Sequence, residues 1–216
     1  MIITQNHIVE FLALVVSIVY WKSIKKGKLK SLPFFLLFIL LVELTGTYLH
    51  SIRYPNTKLY NITIPLEYLF YFYLYWKHAA KVLKIFTTFS ALLLILFTLF
   101  FFFSQPLIIL HSYVLVVGEV CIIFCACIYL IEQFKNGEEE SLLKNYFFWF
   151  SSGLLLFSLG EFVYFLLYPA INLNKWDRFD FWFKTVNNSL LLMLYLSYIV
   201  SIVIYKKYNK LNATGY

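Results

Sequence analysis

The chain has 216 residues, 62% of them hydrophobic and only 13% charged, with a formal net charge of +7. A soluble domain is nearer half apolar and a quarter charged, so the composition excludes an ordinary soluble globular domain and points to an integral membrane protein. The positive charge does not mark a nucleic-acid partner, because the lysines stand in short clusters between apolar runs, as membrane-flanking charges do.

Seven apolar runs are long enough to cross the hydrocarbon. They fall at about 3–21, 32–52, 60–76, 85–104, 107–131, 146–168 and 181–205. In the first, Asn6, His7, Glu10 and Ser17 share one helical face. Its first lysines follow the apolar stretch instead of preceding it, so it is expected to stay as a helix and not to act as a cleaved signal. The second ends "LVELTGTYLH", in which Glu43, Gly46, Thr47 and His50 recur at i, i+3, i+4 and i+7 and form a polar stripe. The third carries Tyr60, Thr63, Glu67 and Tyr71 on one face, with Pro65 expected to remove a helix hydrogen bond and kink the span. The fourth has no charge between Ile85 and Phe103, which predicts a lipid-facing helix, and "SQP" at 104–106 predicts a tight turn after it.

The fifth run aligns Ser112 with Glu119 and holds all three cysteines, Cys121, Cys125 and Cys127. One apolar helix offers neither a disulfide framework nor a zinc knuckle. Cys121 and Cys125 also lie ~200° and ~240° around the helix from Glu119. A solvated loop is predicted at 134–145, around Glu138, Glu139 and Glu140. The sixth run places Ser158, Glu161, Tyr164 and Tyr168 on one face. An outer loop is predicted at 169–180, with Trp176, Phe179, Phe181 and Trp182 in the interfacial aromatic belt. Asp180, Lys184, Asn187 and Asn188 cluster at the start of the seventh run. No loop is long enough for a soluble domain, so residues 1–216 are expected to form a single transmembrane domain.

Of the 18 Lys and Arg residues, 13 fall on the side reached after the first, third, fifth and seventh runs. That side should be cytoplasmic. The expectation is an all-α bundle of seven transmembrane helices, amino terminus outside and carboxyl terminus cytoplasmic, in the cell membrane. The plain fourth run separates two polar-striped triplets of equal orientation, a 3+1+3 arrangement such as a parallel repeat requires.

At ~1.5 Å per residue, Glu43 lies ~12 Å below its outer helix end, and Glu67, Glu161 and Asn187 each ~11 Å below theirs. Glu119 lies deeper, at ~20 Å. A carboxylate at the bilayer centre costs ~2.5–3.5 kcal/mol, and no Lys or Arg stands at equal depth. These side chains should therefore face the bundle axis, their charge removed by protons or balanced by a bound cation or the neighbouring amides. The site expected is an outward-facing cavity lined by Glu43, Glu67, Glu119, Glu161, Asn187 and Asn188, with Thr47 on the Glu43 stripe.

In span count and direction the layout is similar to the small 3+1+3 carriers of the sugar-transporting SWEET family and to microbial rhodopsins. The proline-glutamine loop of the former's relatives is missing. A retinal Schiff base needs a lysine deep in the last span, whereas Lys184 lies near its outer mouth and the next is Lys206; no retinal is expected. The function expected is a carrier or sensor for a small cationic or proton-coupled ligand, with lipid as its surroundings and no nucleic acid. One alternative is an intramembrane metal-dependent hydrolase, in which His7, His50 and His111 join Glu10 or Glu43 around zinc, though no HxxxH or HExxH spacing is present. Another is a non-catalytic assembly subunit, for which Gly153 and Gly160, seven residues apart, permit close helix approach.

Overall fold

A computed structural model describes residues 5–136, 139–174 and 181–209, without the side chains of 136–141, 168–184 and 209. Among the described residues the chain is all-helical: α1 Gln5–Val19, α2 Trp21–Ile24, α3 Leu32–Ser51, α4 Thr57–His78, α5 Lys81–Ser104, α6 Ser112–Asn136, α7 Glu139–Lys144, α8 Tyr146–Asn174 and α9 Phe181–Asn209. Five of these, α3, α5, α6, α8 and α9, contain stretches long and apolar enough to cross a membrane. This is the build of a multi-pass membrane protein. α1 is apolar but has only 15 residues, and the 22-residue α4, rich in tyrosine, is not among the five.

The helix ends are set by recognisable chemistry. α3 closes on Arg53, which adopts a left-handed φ of 59°. The Arg53 amide donates to the His50 carbonyl at 3.0 Å and the Tyr54 amide to Leu49 at 2.9 Å. This is the paired bonding of a Schellman turn, and Pro55 follows it, where a helix cannot continue. α8 starts at Asn145, whose side-chain oxygen accepts the Phe147 amide at 3.0 Å as an N-cap. The Asn145 amide group also donates to Tyr129 at 3.0 Å and Gln133 at 2.8 Å, tying the start of α8 to α6.

Six helices form a ring. α1 packs on α3 and on α9, α9 on α8, α8 on α6, and α6 on α4, while α3 and α4 touch lightly and close the circle. α5 stands outside, packed on α4 and α6. It turns Leu83, Thr87, Ser90 and Leu94 inward and leaves most of its surface exposed. The closest pairing, α8 with α9, is made by glycines: a Cβ on Gly153 would collide with Ser197 and one on Gly160 with Leu190.

Several expected boundaries move. The helix of the first run stops at Val19 and is followed by the short α2. α4 continues through Pro65 without interruption. The fifth helix starts at Ser112 instead of 107, because residues 105–111 form an irregular connection longer than a tight turn. Asn61 holds that connection. Its amide group donates to the carbonyls of Leu107 (2.9 Å) and Ile109 (2.8 Å), and its oxygen accepts the His111 amide (3.0 Å). Part of the expected solvated loop at 134–145 is the helix α7. The expected outer loop at 169–180 is helical through Asn174 as the end of α8, so Pro169 lies inside a helix. The two triplets are not packed alike, since α8 and α9 pack closely where α3 and α4 barely meet. The side chains of Tyr168, Trp176, Phe179, Asp180, Phe181, Trp182 and Lys184 lie outside the described residues.

Candidate functional site: an acidic cavity inside the helix ring

Every helix of the ring contributes to one central cavity of about 380 Å³. α1 brings Asn6 and Glu10, α3 brings Glu43, α4 brings Tyr60, Thr63, Glu67, Tyr68 and Tyr71, α6 brings Glu119, α8 brings Ser158 and Glu161, and α9 brings Asn187 and Tyr195. On each helix these positions repeat at helical spacing, so one face of each points at the same void. Five carboxylic side chains line the cavity, and among the described residues no lysine, arginine or histidine does. It lies toward the end of the bundle that carries the α3–α4 and α5–α6 connections, opposite the lysine clusters at Lys25–Lys30 and Lys206–Lys207.

Glu10, Glu119 and Glu161 are buried, at 2%, 3% and 9% exposure, while Glu43 and Glu67 keep partial exposure. Tyrosines serve the acids. The Tyr60 hydroxyl reaches Glu43 at 3.3 Å, Tyr68 donates to Glu119 at 2.8 Å, and Tyr71 donates to Glu67 at 2.7 Å. Two glycines make room for this. A Cβ on Gly46 would meet the Tyr60 hydroxyl, and one on Gly118 would enter the Tyr68 ring. Two carboxyl oxygens, Glu10 Oε2 and Glu119 Oε2, are buried with no hydrogen-bond partner. Leaving such an atom unpaired costs about 1–3 kcal/mol.

Below the acids the ring is filled by aromatics. Tyr198 donates to the Tyr71 hydroxyl at 3.0 Å, continuing the chain to Glu67. From Tyr198 the rings stack in near-parallel order: Phe150 at 4.8 Å, then Phe147 at 5.1 Å, then His78 at 3.7 Å. The Leu74 carbonyl can only accept, so His78 Nδ1, 2.7 Å away, carries the proton. In the neutral ring Nε2 then accepts from Tyr146 at 3.0 Å. The column runs from the cavity floor to the lysine-rich end of α4, where Lys77 lies over the Tyr73 ring at 4.5 Å.

The structure thus brings Glu43, Glu67, Glu119, Glu161 and Asn187 together. It places Asn188 beside the cavity, where its side-chain oxygen accepts from Asn6 at 2.8 Å. Thr47 lies outside the lining and pairs with His7 at 3.1 Å. The three histidines do not converge. His50 is exposed, His7 meets Thr47, and the His111 ring lies 6.0 Å from Phe101. Among the described residues no three His, Cys, Asp or Glu side chains are placed to hold a metal ion. Cys121 and Cys125 are buried away from the cavity. Glu10, Tyr68 and Tyr195 also line the cavity, none of them among the residues expected there, and the Asn61 clamp was not expected either. The spacing of Asn187, Leu191 and Tyr195 on α9 is the signal that could have found Tyr195.

Comparison with protein-family models, with curated proteins and with solved structures gives no match.

Proposed function

We propose that the chain crosses the membrane seven times, amino terminus outside, and that its central cavity binds a small cationic or proton-coupled ligand from the outer side as a carrier or sensor. The two further crossings are α1 and α4. α1 is extended by α2, with only Tyr20 between them and the Ile24 amide bonded back to the Tyr20 carbonyl at 3.2 Å. Residues 5–24 thereby reach roughly 30 Å, the thickness of the hydrocarbon. α4 has the length, and its Tyr60, Thr63, Glu67, Tyr68 and Tyr71 line the cavity inside the ring, where intramembrane polar groups belong. The orientation rests on the lysine bias.

The observation that carries the function is the set of five acids around one void, with no basic side chain in its lining among the described residues. In a low-dielectric interior such a set has to be neutralised by protons or by a cation. Helix-stabilising hydrogen bonds alone would be served equally by amides. The aromatic column beneath the floor favours sensing: a carrier has to open it to pass a ligand, whereas a sensor can transmit a shift of Tyr71 and Tyr198 along it.

The test is thermal unfolding of the purified wild type and of the Glu67→Gln and Glu161→Gln variants, across pH and with a panel of cations and amines. Wild type should be stabilised by acid or by a cation, and both variants should lose that response while remaining folded. If wild type responds to neither and the variants behave like it, the acids are helix-joining groups and the carrier or sensor reading falls.

A further inference from the structure

The five acids are arranged in two groups joined by a bridge. Glu10 and Glu43 stand on the neighbouring helices α1 and α3, and Glu119 and Glu161 on the neighbouring helices α6 and α8. The two pairs lie across the ring from one another, and Glu67 is on α4, which comes between α3 and α6 in ring order. Each group contains one buried oxygen without a partner, Glu10 Oε2 in the first and Glu119 Oε2 in the second. The hydroxyls of Tyr60 and Tyr68 each serve one acid of a group. Unfilled acceptor capacity thus remains at both ends of the cavity.

A single inorganic ion does not match this layout. Among the described residues no three acidic side chains come close enough together to hold one, and an ion at either end would leave the other group unbalanced. The volume, about 380 Å³, is that of a small-molecule site. Apolar side chains such as Ile64, Leu115, Phe157 and Leu191 also line the void. They offer a methylene chain a surface, and the Tyr68 and Tyr195 rings offer an ammonium an aromatic face.

We propose that the cavity takes an extended organic dication, an alkyl diamine or polyamine, with one ammonium at the Glu10–Glu43 group and another at the Glu119–Glu161 group. This rests on the cation-binding reading above and names the ligand class for it. Each ammonium donates up to three hydrogen bonds, so the unpartnered oxygens and their neighbours can be satisfied at both ends at once.

The experiment is calorimetric titration of the full-length protein in detergent with methylamine, calcium chloride, and the diamine series ethylenediamine, putrescine, cadaverine and hexamethylenediamine. The expected result is an optimum chain length, with the best diamine bound about tenfold or more tighter than methylamine, the factor that one additional charged contact of ~1.4 kcal/mol supplies. Glu43→Gln and Glu119→Gln should each remove that advantage, with thermal unfolding as the check that they fold. The length series on wild type decides without them if they do not. Methylamine bound as tightly as every diamine, or calcium bound in preference, overturns the two-ended dication while leaving a cation-binding cavity. No binding of any probe overturns both.

Discussion

Asn61 shows how much one side chain can hold. Its amide makes three hydrogen bonds to the backbone of residues 107–111, and the Thr57 hydroxyl adds a fourth contact to Ile108 at 2.8 Å. Replacing it by alanine leaves two carbonyls and an amide without that partner. At about 1 kcal/mol per net bond, Asn61→Ala should destabilise the protein by roughly 2–3 kcal/mol, read as a lowered Tm. An unchanged Tm would mean that water replaces the side chain at no cost. Asn61 was not legible in the sequence because its partners are backbone groups some fifty positions away, and nothing in their side chains marks them. Glu10 was hidden for a different reason. It sits near the start of α1, and only the packing of α1 on α3 and α9 shows that the void reaches that level.

At the level of elements, helical periodicity carried a long way. The α4 stripe of Tyr60, Thr63, Glu67 and Tyr71 lines the void as a whole, whereas of the α8 stripe Ser158 and Glu161 reach it and of the α3 stripe only Glu43 does. What periodicity could not supply was where helices stop. α8 runs past Tyr168 and Pro169 to Asn174, and α6 begins only at Ser112. The tight-turn signal at 104–106 suggested a boundary that the bonding of Asn61 to residues 107–111 overrode. Pairing strength was half legible. Gly153 and Gly160 marked a close approach, but only the structure gives α9 as the partner. The contact makes a graded prediction. Gly153→Ala sets a Cβ against the backbone-fixed Cβ of Ser197, so it should force α8 and α9 apart and cost about 1–3 kcal/mol, whereas Gly160→Ala meets the movable end of the Leu190 side chain and should cost less. Equal effects of the two in thermal unfolding would deny that the helices are held at glycine distance.

The whole molecule separates two charge distributions of opposite sign. Basic residues gather at one end of the bundle and acids line a void toward the other. If the lysine-rich end is cytoplasmic, the void opens outward, and an acidic, water-accessible cavity concentrates cations from that side. The most direct measurement takes Thr63→Cys, a lining position of about the same size, in a background carrying Cys121→Ala, Cys125→Ala and Cys127→Ala, with Lys28→Cys as the control for the opposite side. A membrane-impermeant, positively charged thiol reagent is added to intact cells. The account predicts that the Thr63→Cys protein is labelled from outside, that amines added beforehand slow the labelling, and that the Lys28→Cys protein is labelled only after the cells are opened. Labelling of the Lys28→Cys protein in intact cells, or a Thr63→Cys protein reached only from within, would contradict it.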